Sequence, residues 1–246
     1  MAGFAGADSR FTSARGCAIF HRGMVALIRN RIMTSANSFK TQKGQIKMPK
    51  LCTYLITNDT GLAPNPYWGW CTLAVCTPNH QGASLDNGDW IAGFLTKSRG
   101  HRLVYAMEVM EQMDLNYYYH DSRFAKKRPN LRGSWKERCG DNFYSRNEDG
   151  TWKQHRNCFH IGDDALRKDT RKSNVFIARK FWYFGRDAML LPSALRPLVG
   201  GRGIRVNHSD HHTAAFRKWM ESIDKGIHAL PNDNPDFASK QQKESP

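Results

Sequence analysis

Long apolar runs are what this chain most plainly lacks. None approaches the ~18 residues that a helical membrane span requires; near the N-terminus the longest is Gly23–Ile28. A membrane-spanning helix is therefore excluded. Cysteine is scarce too. Six in 246 residues cannot staple a small disulfide scaffold, so reduced thiols and a cytoplasmic setting are expected. Familiar catalytic signatures are missing: there is no Gly-x-Ser-x-Gly, no His-Glu-x-x-His and no dinucleotide fingerprint. Gly200-Gly201-Arg202-Gly203 lacks the spacing and the Lys-Ser/Thr of a phosphate-binding loop. Nothing points to a cofactor.

What is present is aromatic and basic. Seven Trp, eight Tyr and thirteen Phe argue for a packed globular chain, and 37 Lys and Arg against 22 acids leave a net charge of +15. Such a balance suits a polyanionic partner, although many basic surfaces are merely solvated. The charge is uneven, since residues 1–47 hold eight basic side chains against the single acid Asp8. That composition has the flavour of an organellar transit peptide. The segment lacks periodicity, however, and a clean start follows at Met48-Pro49-Lys50-Leu51. Residues 1–47 are read as a non-globular extension, 48–229 as one domain, and the polar stretch 230–246 as a flexible tail.

Within the core, β-type runs dominate. Leu51–Asn58, Trp70–Thr77, Asp89–Thr96, Arg102–Met110 and Asn174–Phe184 are each predicted as strands. Asp114 is placed to cap a short helix through Tyr119. Ser209 or Asp210 caps another, with Phe216, Trp219, Met220 and Ile223 at helical spacing. Residues 121–173 read as irregular and basic. Strands without alternating helices argue against a doubly wound sheet. The expected class is α+β, a partly closed mixed β-barrel with peripheral helices.

Two stretches carry the chemistry. Asp59–Cys71 (DTGLAPNPYWGWC) is stiffened by Pro64 and Pro66 and holds a carboxylate, an amide and three aromatic rings. Flat rings with a few polar groups suit a planar heterocycle. A ring-rich loop folded back onto the core is the competing reading, and residue chemistry alone leaves the two level. Asp-Thr-Gly also invites comparison with aspartic proteases, but that mechanism needs paired carboxylates and no second copy occurs. The second stretch packs Arg123, Lys126, Lys127, Arg128, Arg132, Lys136 and Arg138 into sixteen residues against Glu137 alone, with Phe124 and Trp135 interleaved. Phosphate tracking with base stacking needs this mixture; a solvated basic loop would show it as well. Metal ligation is not expected. Cys71 and Cys76 would project to opposite faces of a strand, about 17 Å apart. His155, Cys158 and His160, like His208, His211 and His212, lack a completing partner motif.

The chain resembles the second of the numbered nucleotide modification associated domain families. The likeness is carried by TNDTGLAPNPYWGWCTLAVCTP (57–78), GDWIAGF (88–94), RLVYAMEV (102–109), DSRFAKKRPNL (121–131), RCGDNFY (138–144) and FWYFGRDA (181–188). Such families occur in bacteria and phages beside genes for DNA-base hypermodification. A looser likeness, a Gly-Asp turn followed by two strands, is to PUA-like domains, which implies a small barrel that holds a nucleobase. The resemblance supplies no reaction and no catalytic residue. From residue chemistry, Trp68 or Tyr67 is expected to stack on a base while Asn65 and Asp59 read its polar edges. Arg123, Arg128 and Arg138 are expected to hold phosphate. The partner is then DNA or a modified nucleotide, with other proteins of a base-modification system as companions and no membrane. The rival reading is an enzyme of base modification or its removal, with Asp59 or Asp141 as general base or Cys71 as nucleophile.

Overall fold

A computed structural model describes residues 47–75, 83–201 and 203–233. The chain divides into two units, Met1–Gln45 and Ile46–Pro246, and all described residues belong to the second. The candidate strand end Cys76-Thr77, residues 1–46 of the 1–47 extension and the tail beyond Asp233 lie outside them.

The elements run β1 (Leu51–Ile56), β2 (Cys71–Leu73), β3 (Trp90–Leu95), β4 (Leu103–Glu108), β5 (Glu111–Asp114), α1 (Leu115–His120), α2 (Trp135–Arg138), β6 (Tyr144–Arg146), β7 (Trp152–Gln154), α3 (Asp163–Thr170), β8 (Asn174–Ala178), β9 (Phe181–Tyr183), α4 (Asp210–Glu221) and β10 (Gly226–Ile227). A five-stranded sheet has the order β1-β3-β4-β9-β10, a three-stranded sheet the order β2-β8-β5, and β6 pairs with β7 alone. The large sheet is mixed: β1 runs parallel to β3, β4 antiparallel to both β3 and β9, and β10 parallel to β9. The class is α+β.

Period-2 alternation builds the layers. On β1, Cys52, Tyr54 and Ile56 face one way, with Ile91 and Leu95 of β3, toward Leu73 of β2 and Phe176 and Ala178 of β8. The opposite face of the large sheet presents Trp90, Ala92, Phe94 and Trp182 to Phe216 and Met220 of α4. The far face of the small sheet, Val175 and Ile177, packs with Leu115 and Tyr118 of α1 and with Phe124. The two larger sheets are thus covered on both faces, which explains why β1, β3, β4 and β8 read as nearly continuous apolar runs.

No sheet closes on itself among the described residues, so the expected barrel is not found. The edge strand β1 is continued only by an isolated bridge from Thr53 to Arg205, not by β10. One other expectation changes. Asn174–Phe184 is two strands that join different sheets, split at Arg179-Lys180. In β4 the alternation slips at Val104, because the register shifts where Gly93 and Phe94 face Tyr105 and Leu103. Gly93 is needed there, since a Cβ would lie 2.4 Å from Ile56 Cδ1 and 2.5 Å from Tyr105 Cε1.

Candidate nucleic-acid interface

The aromatic loop between β1 and β2 is folded back on β2. Asn65 and Thr72 exchange both backbone hydrogen bonds, at 2.9 and 3.0 Å. Tyr67 O then accepts from Trp70 N at 3.4 Å, closing a turn whose central residues, Trp68 and Gly69, have φ of 59° and 79°. Positive φ is unremarkable for glycine and uncommon for a bulky side chain. The turn holds the half-buried Trp68 out from the loop, its ring edge-on to Tyr67 at 5.8 Å. Tyr67 itself is 3 % exposed and packs edge-on to Trp135 at 5.6 Å.

The basic stretch meets this loop from the other side. Asp121 caps a 3-10 turn over Ser122–Lys127 by accepting from Arg123 N at 2.9 Å. Its three-residue period turns Phe124 and Lys127 inward and leaves Arg123 and Lys126 outside. Lys127 is 1 % exposed. Its ammonium donates to Asn65 O at 2.9 Å, Asn65 Oδ1 at 2.8 Å and Trp70 O at 3.0 Å. One cation thus clamps both ends of the turn that carries Trp68. Burial pulls the Lys127 pKa down to about 8, opposed chiefly by nearby Asp141. Its three acceptors match the three protons of the ammonium form.

Beneath the clamp lies Asp141, fully buried, accepting from Thr72 Oγ1 at 2.6 Å and Tyr118 Oη at 2.8 Å. Burial pushes its carboxyl above the usual range against the pull of Lys127 and the two hydroxyls. The chain can approach this closely because position 140 is glycine: a Cβ there would lie 2.3 Å from Lys127 O. Asn142 completes the join, donating from its backbone to Lys127 O at 3.1 Å.

Between loop and basic stretch runs a groove of about 430 Å³, lined by Trp68, Ala125, Lys126, Arg128, Asn130 and Glu137. Lys136 Nζ stands 4.9 Å from the Tyr67 ring centroid and 5.9 Å from that of Trp68. Glu137 is occupied by the capping box with Ser134 that starts α2.

The sequence-derived candidates separate. Trp68 and Arg128 share the groove. Asn65 is buried, its amide spent on Lys127 and on Cys139 O at 2.8 Å, so it faces the interior. Asp59 is fully buried elsewhere, accepting from Tyr183 Oη at 2.6 Å, Asn232 N at 3.1 Å and Asn232 Nδ2 at 3.3 Å. Burial raises its carboxyl as well. Its backbone pairs with Asp233, which also meets Arg99 at 3.0 Å. Asn232 and Asp233, within the stretch read above as a flexible tail, are thus bonded into the domain. Cys71 lies fully buried on β2, its thiol pushed up to about 12. Arg123 is committed to Glu111 at 2.8 Å and Asp121 at 2.6 Å. Arg138 sits half-buried in α2, outside the groove lining. Sequence reasoning missed Lys127 as a clamp. The signal was its spacing of three from Phe124, which the surrounding basic run obscured.

A family model described as nucleotide modification associated domain 2 matches residues 48–240. No curated protein and no solved structure matches the chain.

Proposed function

From the premise that the chain belongs to the nucleotide modification associated domain 2 family, we propose that it is a binding module for nucleic acid or nucleotide that holds a base against Trp68. Lys126 and Arg128 supply positive charge for phosphate beside that ring. The observation that carries the reading is the groove itself, which unites the strained, displayed tryptophan with two cations from the basic stretch. Aromatic faces stack on any base, and cations along the groove track the backbone. Among the described residues no helix is long and apolar enough to cross a membrane. We read the setting as the cytoplasm and the partner as DNA or a modified nucleotide, alongside other base-modification proteins.

An enzyme of base modification is the less supported alternative. Asp59, Asp141 and Cys71, from which its chemistry was argued, are each fully buried, and both carboxylates are already hydrogen-bonded. The test is calorimetry on modified nucleosides and oligonucleotides, with mass spectrometry for turnover. Trp68→Ala is expected to cost about 1–3 kcal/mol in affinity for a base-containing ligand. Asp59→Asn is expected to leave binding intact. Turnover lost in Asp59→Asn with binding retained would promote the enzyme.

A further inference from the structure

Beyond the groove, Arg128 belongs to a second cluster. Its guanidinium carbon lies 4.4 Å from the Tyr119 ring centroid, and its Nη2 donates to Tyr119 O. Tyr119 stacks on His155 with centroids 4.3 Å apart and planes 5° from parallel, and meets the His120 ring edge-on at 5.3 Å. Ser145 Oγ fixes His155 at Nε2, 2.8 Å away. Lys153 is paired with Ser145 across the β6–β7 ladder and adds its charge to this place. The field here is positive: burial and then Lys153, Arg128 and His120 hold the His155 pKa below its ordinary value. Among the described residues no carboxylate bonds to Arg128, His120 or Lys153, whose side chains are exposed. By contrast Arg123, a few residues before Arg128, is neutralised twice.

Three unneutralised cationic or protonatable groups around a rigid ring stack form a place for an anion. The stack leaves no open face for a base on Tyr119, which is already in contact with Arg128, His155 and His120. Through Arg128 the cluster is continuous with the groove. Resting on the groove reading above, we propose that His120 and Lys153, with Arg128 shared between the two places and with Tyr119 and His155 ordering the cluster, form a shelf for the next phosphate along a strand, one nucleotide beyond the phosphate that Lys126 and Arg128 hold beside Trp68. The ligand of this site is then a single strand of two or more nucleotides rather than a free nucleotide. Phosphodiester chemistry is common to DNA and RNA, so the sugar is left to the arms of the test.

The experiment titrates the full chain with thymidine 5′-monophosphate, tetrathymidylate and tetrauridylate at several salt concentrations. The shelf requires at least one tetramer to bind roughly tenfold more tightly than the mononucleotide, with a steeper salt dependence. The double variant His120→Ala/Lys153→Ala changes exposed side chains only. It is expected to weaken the preferred tetramer about fivefold or more, to lower its salt slope by about 1, and to leave the mononucleotide unchanged. Tighter tetrathymidylate or tetrauridylate binding supports the shelf equally and names the sugar. Equal affinity for monomer and both tetramers overturns the proposal, and so does a double variant that binds the tetramer as the parent does. Trp68→Ala separates the two readings. If it leaves tetramer binding intact while the double variant weakens it, the groove reading fails and the shelf stands. If it abolishes binding that the double variant does not touch, the groove stands and the shelf falls.

Discussion

The two ends of one loop, both expected from the sequence to face a ligand, are put to opposite uses. At its start, Asp59 is buried, satisfied by Tyr183 and Asn232, and closes a clasp on Asn232 and Asp233. At its end, Trp68 is half-buried and held at positive φ beside Lys126 and Arg128. Both residues were candidates for ligand contact, and the count of satisfied partners separates them. A carboxylate with three internal donors has little left to offer a ligand. A ring displayed on a tight turn, braced from beneath by a buried ammonium, keeps its contact surface available.

The largest effect is expected at Lys127. Lys127→Met removes the donor shared by Asn65 and Trp70 and strips Asp141 of its counter-charge, so a loss of about 3–5 kcal/mol is expected. Urea denaturation measures it, and a near-neutral result would mean the loop needs no clamp. At the other end, Asp59→Asn is expected to cost about 1–3 kcal/mol by disturbing the clasp, with ligand affinity unchanged. Its pH signature follows from the raised carboxyl. The folded chain holds that proton above the ordinary 3.8, so stabilisation present below 3.8 is lost as pH rises through the folded value. Asp141 acts in the same direction. Melting temperature measured from pH 3.5 to 7 should therefore fall less steeply in Asp59→Asn than in the parent.

Trp68→Gly sharpens the contrast between stability and function. Glycine accepts φ near 59° without the steric penalty a tryptophan meets. Binding is expected to fall by about 1–3 kcal/mol while the melting temperature stays level or rises. A collapse in stability would assign the ring to the core. The smallest effect concerns the basic stretch. Arg123→Ala, removing an exposed ion-pair network, should cost at most about 1 kcal/mol of stability and leave binding unaltered. Arg128→Ala should weaken binding and flatten its salt dependence, as calorimetry at two salt concentrations would show.

How much of this was legible beforehand depends on the range of the contact. Strands β1, β3 and β4 follow from local apolar patterning and start within a residue or two of where it placed them. The caps of Asp114 on α1 and Ser209 on α4 were equally local, and both side chains accept from backbone amides two or three residues on. In the 121–173 region a four-residue α2 and three-residue β6 and β7 are too short to show a period, and the eight-residue α3 starts after Gly162 with no side-chain cap to announce it. Sheet closure was not legible, since the partner of an edge strand is a long-range fact. At the site, the aromatic loop and the basic stretch were recognisable as composition. Which lysine turns inward, and that Asp59 serves Asn232 rather than a ligand, depends on contacts between residues far apart in sequence.

On the proposed reading the end of the loop, and not its start, faces the ligand. Calorimetric titration of one base-containing oligonucleotide into the parent, Trp68→Ala and Asp59→Asn proteins tests it most directly. Affinity should drop by about 1–3 kcal/mol in Trp68→Ala and match the parent in Asp59→Asn. The reverse pattern, with binding lost in Asp59→Asn and kept in Trp68→Ala, would place the ligand at the start of the loop instead.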